Sequence, residues 1–346
     1  MGKYVVLVDC VPDEIQTFVD GLEYKGREFQ IESYISNWKR TGILSELKRY
    51  ATYFSVGFRY FLKRRQYDAI VGWQQFYALI FCFFCALFRV KKTTMVVAFN
   101  YTYREKKGMA ASIYRWFMEK CMDVDYLDYI HVPSREYADA VAEQFHFPRE
   151  RIIVMGFGVN DCYEEFSALP VPPSYQKDGY ALAIGRSNRD YDFLIRAWEG
   201  ISYPLVIISD TYKGTADAEN IVILRNVAGE ESYPWIAHCG LMVVPIDNGL
   251  LCSGDTVLLT AMAAKRKIIV TTPSTLAEMY VVDGENAVLA PKEDAAFRRI
   301  VTEVLYAEKY ADLGNGARQS FLRSHSRQGM GTNLTKAIQT ETEVHL

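Results

Sequence analysis

Residues 180–198 read YALAIGRSNRDYDFLIRAW, and residues 246–274 read IDNGLLCSGDTVLLTAMAAKRKIIVTTPS. The first stretch is a short apolar strand, a glycine turn with two arginines, and a helix opening at Tyr191. The second holds the turn Ser253-Gly254-Asp255-Thr256, a small apolar helix and the buried strand Lys267–Val270. Each turn stands where backbone N–H groups and the positive end of a helix dipole face an anion. Arg186 and Arg189 in the first turn are suited to hold a diphosphate through bidentate bonds. Asp255 or Ser253 is suited to cap the second helix. A solvated loop whose arginines pair with Asp190 and Asp192 fits the same letters, and an ordinary capped helix fits the second turn.

Working outward, strands and helices alternate on both sides of these stretches. Strand candidates in the first half are Tyr4–Asp9, Phe29–Tyr34, Ala69–Gly72, Thr93–Phe99, Tyr129–Pro133 and Arg151–Met155, with helices expected at Ile43–Arg65, Gln75–Phe88, Met109–Met122 and Arg135–Phe145. The second half repeats the pattern from Tyr180 to Tyr306, and two more helices are expected near Asp312–Ser324 and Gln328–Thr340. Such alternation predicts an α/β fold of two Rossmann-like parallel-sheet domains. Residues 168–179, ALPVPPSYQKDG, carry three prolines and no helical period, so they read as a linker. The expected domains are 1–166 and 178–325, with 326–346 a final helix able to cross back to the first. Ligands of open parallel sheets bind outside the carboxyl ends of the strands, so the expected site lies in those loops, in a cleft between the two domains.

Composition narrows the function classes. The 346 residues are half hydrophobic and 23% charged, a globular balance. Seven cysteines, an odd number in mostly apolar surroundings, suit reduced thiols and a cytoplasmic protein. From the stretch MGKYVVLVDC no secretory leader is expected, and the run FYALIFCFFCALF (76–88) is too short to span a bilayer. Net charge is only −3, yet residues 37–120 hold 16 Lys+Arg against four Asp+Glu. Within that basic segment, ILSELKRYATYFSVGFRYFLKRR (43–65) mixes rings and cations as a helix lying on an anionic membrane surface would. A core-packed helix with a solvated basic edge fits equally. Nucleic acid is not an expected partner, because the rings recur at helical core spacing rather than on a strand platform.

Taken in order, six stretches resemble family 4 of the glycosyltransferases (group 1), which have the GT-B fold. They are AIGRSNRDYDFLIRAW (183–198), PLVIISD (204–210), NIVILRNVAGEESYPWIAHCGLMVVPI (220–246), GDTVLLTAMAAKRKIIVT (254–271), YVVDGENAVLAP (280–291) and, earlier, HVPSREYADAVAEQFHFPRERIIVMGFGVND (131–161). The resemblance spans roughly residues 129–310. It implies a metal-independent hexosyltransferase that needs no cofactor and moves a sugar from a nucleotide-sugar donor to a hydroxyl of a glycan or lipid-linked glycan, in polysaccharide or glycolipid assembly. It implies that Arg186 and Arg189 grip the donor diphosphate and that Asn226 and Val227 lie against the base. Ser253, Gly254, Asp255 and Thr256 face the sugar and phosphates, and Thr260 holds the ribose. Asn100, just after the strand TTMVVAF, and Asp255 are the candidate catalytic residues. The sequence departs from the family at the paired glutamates, E-x7-E, which would fall at Cys252 and Thr260. It also has Cys10-Val11-Pro12-Asp13 where a Gly-rich loop is usual. The rival readings are a catalytically silent GT-B partner subunit and a nucleotide-sugar epimerase. The expected location is the cytoplasm, at the inner face of the plasma membrane where the basic helix docks. Cys82/Cys85 are expected to be buried, Asp123/Asp125 to mimic a metal motif by coincidence, and His131 to end a strand near the cleft.

Overall fold

The computed structural model describes residues 2–340 apart from 36–42, 104, 107, 109, 174, 228 and 252. The chain forms two compact units: Met1–Gly156 with Arg327–Leu346, and Phe157–Ser326.

In the first unit, the strands are β1 (Lys3–Val8), β2 (Glu23–Tyr24), β3 (Arg27–Glu28), β4 (Gln30–Ser33), β5 (Tyr67–Gly72), β6 (Met95–Ala98), β7 (Tyr129–Val132) and β8 (Ile152–Val154). The helices among them are α1 (Gln16–Asp20), α2 (Ile43–Leu62), α3 (Gln75–Phe88), α4 (Ala110–Cys121) and α5 (Arg135–Phe145). Six of the strands form one sheet, ordered β4-β1-β5-β6-β7-β8, with every pair parallel. Successive residues of a strand face opposite sides. Val5 and Leu7 accordingly pack with Tyr60, Tyr77 and Ile80 from α2 and α3, whereas Tyr4, Val6 and Val8 pack with Phe18. Both faces are covered, so β1 reads as an unbroken apolar run.

The second unit holds β9 (Ala181–Ile184), β10 (Leu205–Ile208), β11 (Ile221–Leu224), β12 (Leu241–Val244), β13 (Lys267–Thr272) and β14 (Val288–Pro291). Its helices are α6 (Tyr163–Ser167), α7 (Tyr191–Ala197), α8 (Tyr233–His238), α9 (Asp255–Ala263), α10 (Thr275–Tyr280), α11 (Asp294–Tyr306) and α12 (Leu313–Ser320). Sheet order is β11-β10-β9-β12-β13-β14, again all parallel. Counted in chain order this is 3-2-1-4-5-6, the doubly wound arrangement whose winding reverses between β9 and β12. The fold is therefore α/β, with two Rossmann-like parallel-sheet units.

The units divide at Gly156/Phe157, not within 166–178. Phe166 is buried in the second unit's core, the Phe157 amide donates to the Tyr280 hydroxyl at 2.8 Å, and Val159 bridges Ser326. The proline-rich run thus lies on the surface of the second unit rather than between units. The final helix α13 (Arg327–Thr340) packs in the first unit, where Met330, Leu334 and Ile338 join Phe18 in the core. Close approach is possible there because Gly331 has no side chain; a Cβ would sit 2.1 Å from the Phe18 carbonyl oxygen.

One face of the first unit is oily. Leu47, Tyr50, Phe54, Phe58 and Leu62 recur at three- and four-residue spacing along α2 and are all exposed, while Tyr53, Val56, Tyr60 and Phe61 on the other side are buried. Phe54 and Phe58 contact Phe84 of α3, Phe54 contacts Phe117 of α4, and Phe61 stacks on Phe88. Leu87, Phe88, Ile113 (71% exposed) and Trp116 extend the outward apolar surface over α3 and α4. No helix among the described residues is long and apolar enough to cross a membrane.

Candidate active site

The reversal of winding in the second sheet places the turns after β9 and β12 side by side, and there the sequence's two glycine turns meet. The Asp190 amide donates to the Pro245 carbonyl at 2.8 Å, and Arg189 bridges Ile246. Asn188, in the left-handed conformation that asparagine tolerates, donates to the Asn248 carbonyl at 3.1 Å and accepts from the Asn248 amide at 2.7 Å. Asp190 caps α7 through the Phe193 amide at 3.0 Å and pairs with Lys292, which follows β14. Burial opposes ionisation of Asp190, but Lys292 and the Phe193 amide outweigh it and hold the carboxyl below its usual range.

Arg189 lies at the centre of this double loop. Its Nη1 donates to the Ser187 and Asn188 carbonyls at 3.1 and 3.3 Å, and its Nε is buried with no partner. Gly185 and Gly254 flank it at φ +151° and +100°; a Cβ on Gly185 would lie 2.9 Å from Nε, and one on Gly254 2.4 Å from Nη2. Burial lowers the arginine's pKa, with Tyr191 and Asp255 acting the other way. A guanidinium stays protonated regardless. A cation this desolvated, with no carboxylate bonded to it among the described residues, calls for an anion.

Gly254, not Asp255 or Ser253, is the N-cap residue of α9, with no side-chain cap. Gly254 takes the cap position in the left-handed conformation, so Ser253 stands one residue before it and makes no cap bond. Asp255, the first helical residue, accepts instead from the adjacent Thr256 amide at 2.9 Å. The Ser253 hydroxyl is buried without a partner, so this turn presents a hydroxyl and the end of a nine-residue helix beside Arg189. Thr256 and Thr260, four residues apart, share one face of α9. Position 252 lies outside the described residues. Gly254→Ala should cost about 1–3 kcal/mol of stability, since alanine disfavours a positive φ. It should also displace the guanidinium and so weaken the hold on any anion bound there. Chemical denaturation together with a nucleotide titration checks both effects, and an unchanged pair of values would mean that the clamp around Arg189 is loose.

Arg186 is placed differently. Its side chain is 77% exposed and pairs with Asp210 at 3.0 Å, while the Thr211 hydroxyl donates to its carbonyl at 2.6 Å. The alternative pairing of the arginines with Asp190 and Asp192 does not occur: Asp190 holds Lys292, and Asp192 accepts from the Tyr212 hydroxyl. Asn226 and Val227 follow β11, the outermost strand, two strands removed from β9. The supports from Asn188, Asn248, Asp210 and Lys292 were missed in the sequence. Asparagine and aspartate just beyond strand ends were the available signal.

In the first unit, Asn100 follows β6 in a left-handed turn. The turn is latched by His131 of β7. Its Nδ1 accepts from the Asn100 amide at 3.2 Å, and its Nε2 donates to the Met155 carbonyl beyond β8 at 2.9 Å. The ring stacks on Phe99 at 4.1 Å, and burial pushes its pKa down to about 4, so it is neutral. His131 therefore ties three strand ends together. Cys82 and Cys85 are buried free thiols with raised pKa values, and Asp123 accepts from the Asp125 amide in a local turn. Among the described residues, no three His, Cys, Asp or Glu side chains gather as a metal site would require.

Residues 178–306 match the family profile described as Glycosyl transferases group 1. No curated protein matches the chain significantly. Among solved structures, a glycosyltransferase from Rickettsia africae aligns with TM-score 0.61 and 11% identity, over 98% of this chain and 99% of its own. Anabaena HepE in complex with UDP aligns with TM-score 0.58 and 12% identity, over 98% and 100%. Sucrose-phosphate synthase from Thermosynechococcus elongatus aligns with TM-score 0.57 and 12% identity, over 99% and 100%. At such identities the structures speak for the fold. The chain thus has the two-domain GT-B fold, and its second unit carries the group 1 glycosyltransferase signature across residues 178–306.

Proposed function

We propose that the protein transfers a hexose from a nucleotide-sugar donor, held by the second unit, to an acceptor hydroxyl. One observation carries the reading: a largely buried Arg189 guanidinium, with an unpartnered Nε, seated between two glycines at the sheet's switch point beside the start of α9. In the transfer, the bond between the anomeric carbon and the diphosphate oxygen breaks, and its electron pair stays on the diphosphate. The acceptor oxygen bonds to that carbon, and its proton passes to the departing diphosphate. Arg189 and the α9 dipole lower the barrier by stabilising charge that grows on the leaving group. Arg186, freed from Asp210 by rotation of its exposed side chain, adds a second cation. Ser253, Asp255 and Thr256 orient the sugar and phosphates, Thr260 meets the ribose, and Asn226 with Val227 meets the base. Asn100 contacts the acceptor. The UDP bound to the structurally similar Anabaena protein supports a nucleoside diphosphate as leaving group.

In this reading the arginines and the helix end replace a divalent ion. Turnover of the donor should therefore persist at full rate in excess EDTA. Loss of rate on chelation, restored by Mn²⁺ or Mg²⁺, would contradict it.

The acceptor in this reading is a glycan or lipid-linked glycan of polysaccharide or glycolipid assembly, met at the cytoplasmic surface of an anionic membrane. The outward aromatic and aliphatic surface of α2, α3 and α4 supports this, because the same helices and the residues just after them carry the exposed cations Lys48, Arg59, Lys63, Arg65 and Arg89 and the partly exposed Lys120. The threonine at position 260, where the family has a carboxylate, favours one other reading, a partner subunit that binds nucleotide without turnover.

A further inference from the structure

At the opposite, amino end of the second sheet is a hollow of about 540 Å³. Its lining includes Lys177, Lys265, Arg266 and Lys267, with Asp178 as the carboxylate among them. The concentration of positive charge is unexpected there. Residues 157–326 hold 15 Lys+Arg against 22 Asp+Glu, so a unit with net charge −7 gathers four of its cations around one cavity. Asp178 is already taken: Arg266 Nη1 pairs with it at 2.7 Å. Arg266 is further held by the Ala264 and Cys239 carbonyls, at 2.7 and 3.2 Å, so the guanidinium is fixed in place. Lys267 donates to the Val304 carbonyl at 3.0 Å, and burial lowers its pKa. Lys177 and Lys265 make no ion pair among the described residues. The comparable hollow at the amino end of the first sheet lacks this bias, since Asp68 and Asp128 stand beside its Lys25, Lys92 and Arg151.

We infer that this hollow is a second anion site, separate from the donor turns, that takes a small phosphate-bearing solute. Its volume is in the range of small-molecule sites. The Arg266–Asp178 pair cancels, so half-buried Lys267 supplies the fixed charge beside it, and Lys177 and Lys265 close on the phosphate from the rim. Because the site lies across the sheet from Arg189, its occupancy stabilises the second unit without competing for nucleotide.

The test is a calorimetric titration of the full chain with inorganic diphosphate, in the wild type, in Arg189→Met and in the double variant Lys177→Gln/Lys265→Asn. Asparagine suits the left-handed backbone at 265. The wild type should show two classes of site. Arg189→Met should retain the amino-end class, and the double variant should weaken that class at least tenfold while keeping UDP affinity. Diphosphate binding in the double variant identical to wild type would overturn the inference. So would complete loss of binding in Arg189→Met. Loss of one class in the double variant, with no loss in Arg189→Met, would uphold the amino-end site and sink the donor assignment instead. Sedimentation with anionic vesicles should be unchanged in the double variant; its loss would mean a lipid headgroup and overturn the soluble ligand.

Discussion

Replacing Arg186 and Arg189 together with Ala should weaken nucleoside-diphosphate binding by at least about 100-fold, on the order of 3 kcal/mol. Most of that loss should come from position 189. Arg186 is solvated and paired with Asp210, so its contribution in water is small. Arg189 is desolvated already, so its partner meets a charge that has given up most of its hydration. Removing the side chain also empties the space between Gly185 and Gly254. Arg189→Met keeps the bulk and removes the charge, and it should lose nearly as much affinity with the melting temperature held close to wild type. Titration with UDP, with thermal unfolding alongside, separates the two effects. Unchanged UDP affinity in the double variant would remove Arg186 and Arg189 from the site.

The protein should sediment with vesicles rich in anionic lipid and ignore neutral ones at low salt. Cations near such a surface contribute about 1 kcal/mol each and act within a Debye length. Arg59→Gln, Lys63→Gln, Arg64→Gln and Arg65→Gln combined should therefore lower vesicle affinity by roughly 100-fold or more. The full sum is not expected, because Arg64 is tied to the Phe61 carbonyl and Arg59 lies over the Tyr34 ring. A salt-resistant remainder should depend on the apolar surface and fall in Leu62→Ser/Ile113→Ser, two exposed positions whose change leaves the core intact. A wild type that does not bind anionic vesicles at low salt would make the basic face a solvated surface only.

How much of this was legible in the sequence depended on how local each cause is. The strand at 180–184 and the helix from 191 are written in apolar period and glycine position, so their places in the fold could be read directly. The β12–β13 region was equally plain. The unit boundary was not. Prolines mark an irregular segment, but whether it separates units is decided by where Phe166 and Phe157 find partners, more than 60 residues away. The final helix was expected to be able to cross back to the first unit, and it packs there, although its partner Phe18 lies too far along the chain to be read locally. At the site, both glycine turns stood out because a glycine between a strand and a helix, beside arginine in one turn and beside capping residues in the other, is a local pattern. Their mutual stapling through Asn188 and Asn248 is a 60-residue contact and left no local mark. The cap of α9 was misread because Asp and Ser are good capping residues, and the left-handed backbone at Gly254 overrode that preference. His131 looked like a strand-end group near a cleft; only its two ring bonds reveal a latch.

The central claim is that the second unit presents a sugar-nucleotide site built on Arg189 and used for transfer. It is tested most directly by offering the protein a panel of nucleotide sugars with EDTA present and measuring release of nucleoside diphosphate, beside direct titration of the same nucleotides. One nucleotide class should bind, its sugar form should be turned over, and both properties should be lost in Arg189→Met. Binding without release would assign the chain to the silent-partner reading. Failure of every nucleoside diphosphate to bind the wild type would contradict the account outright.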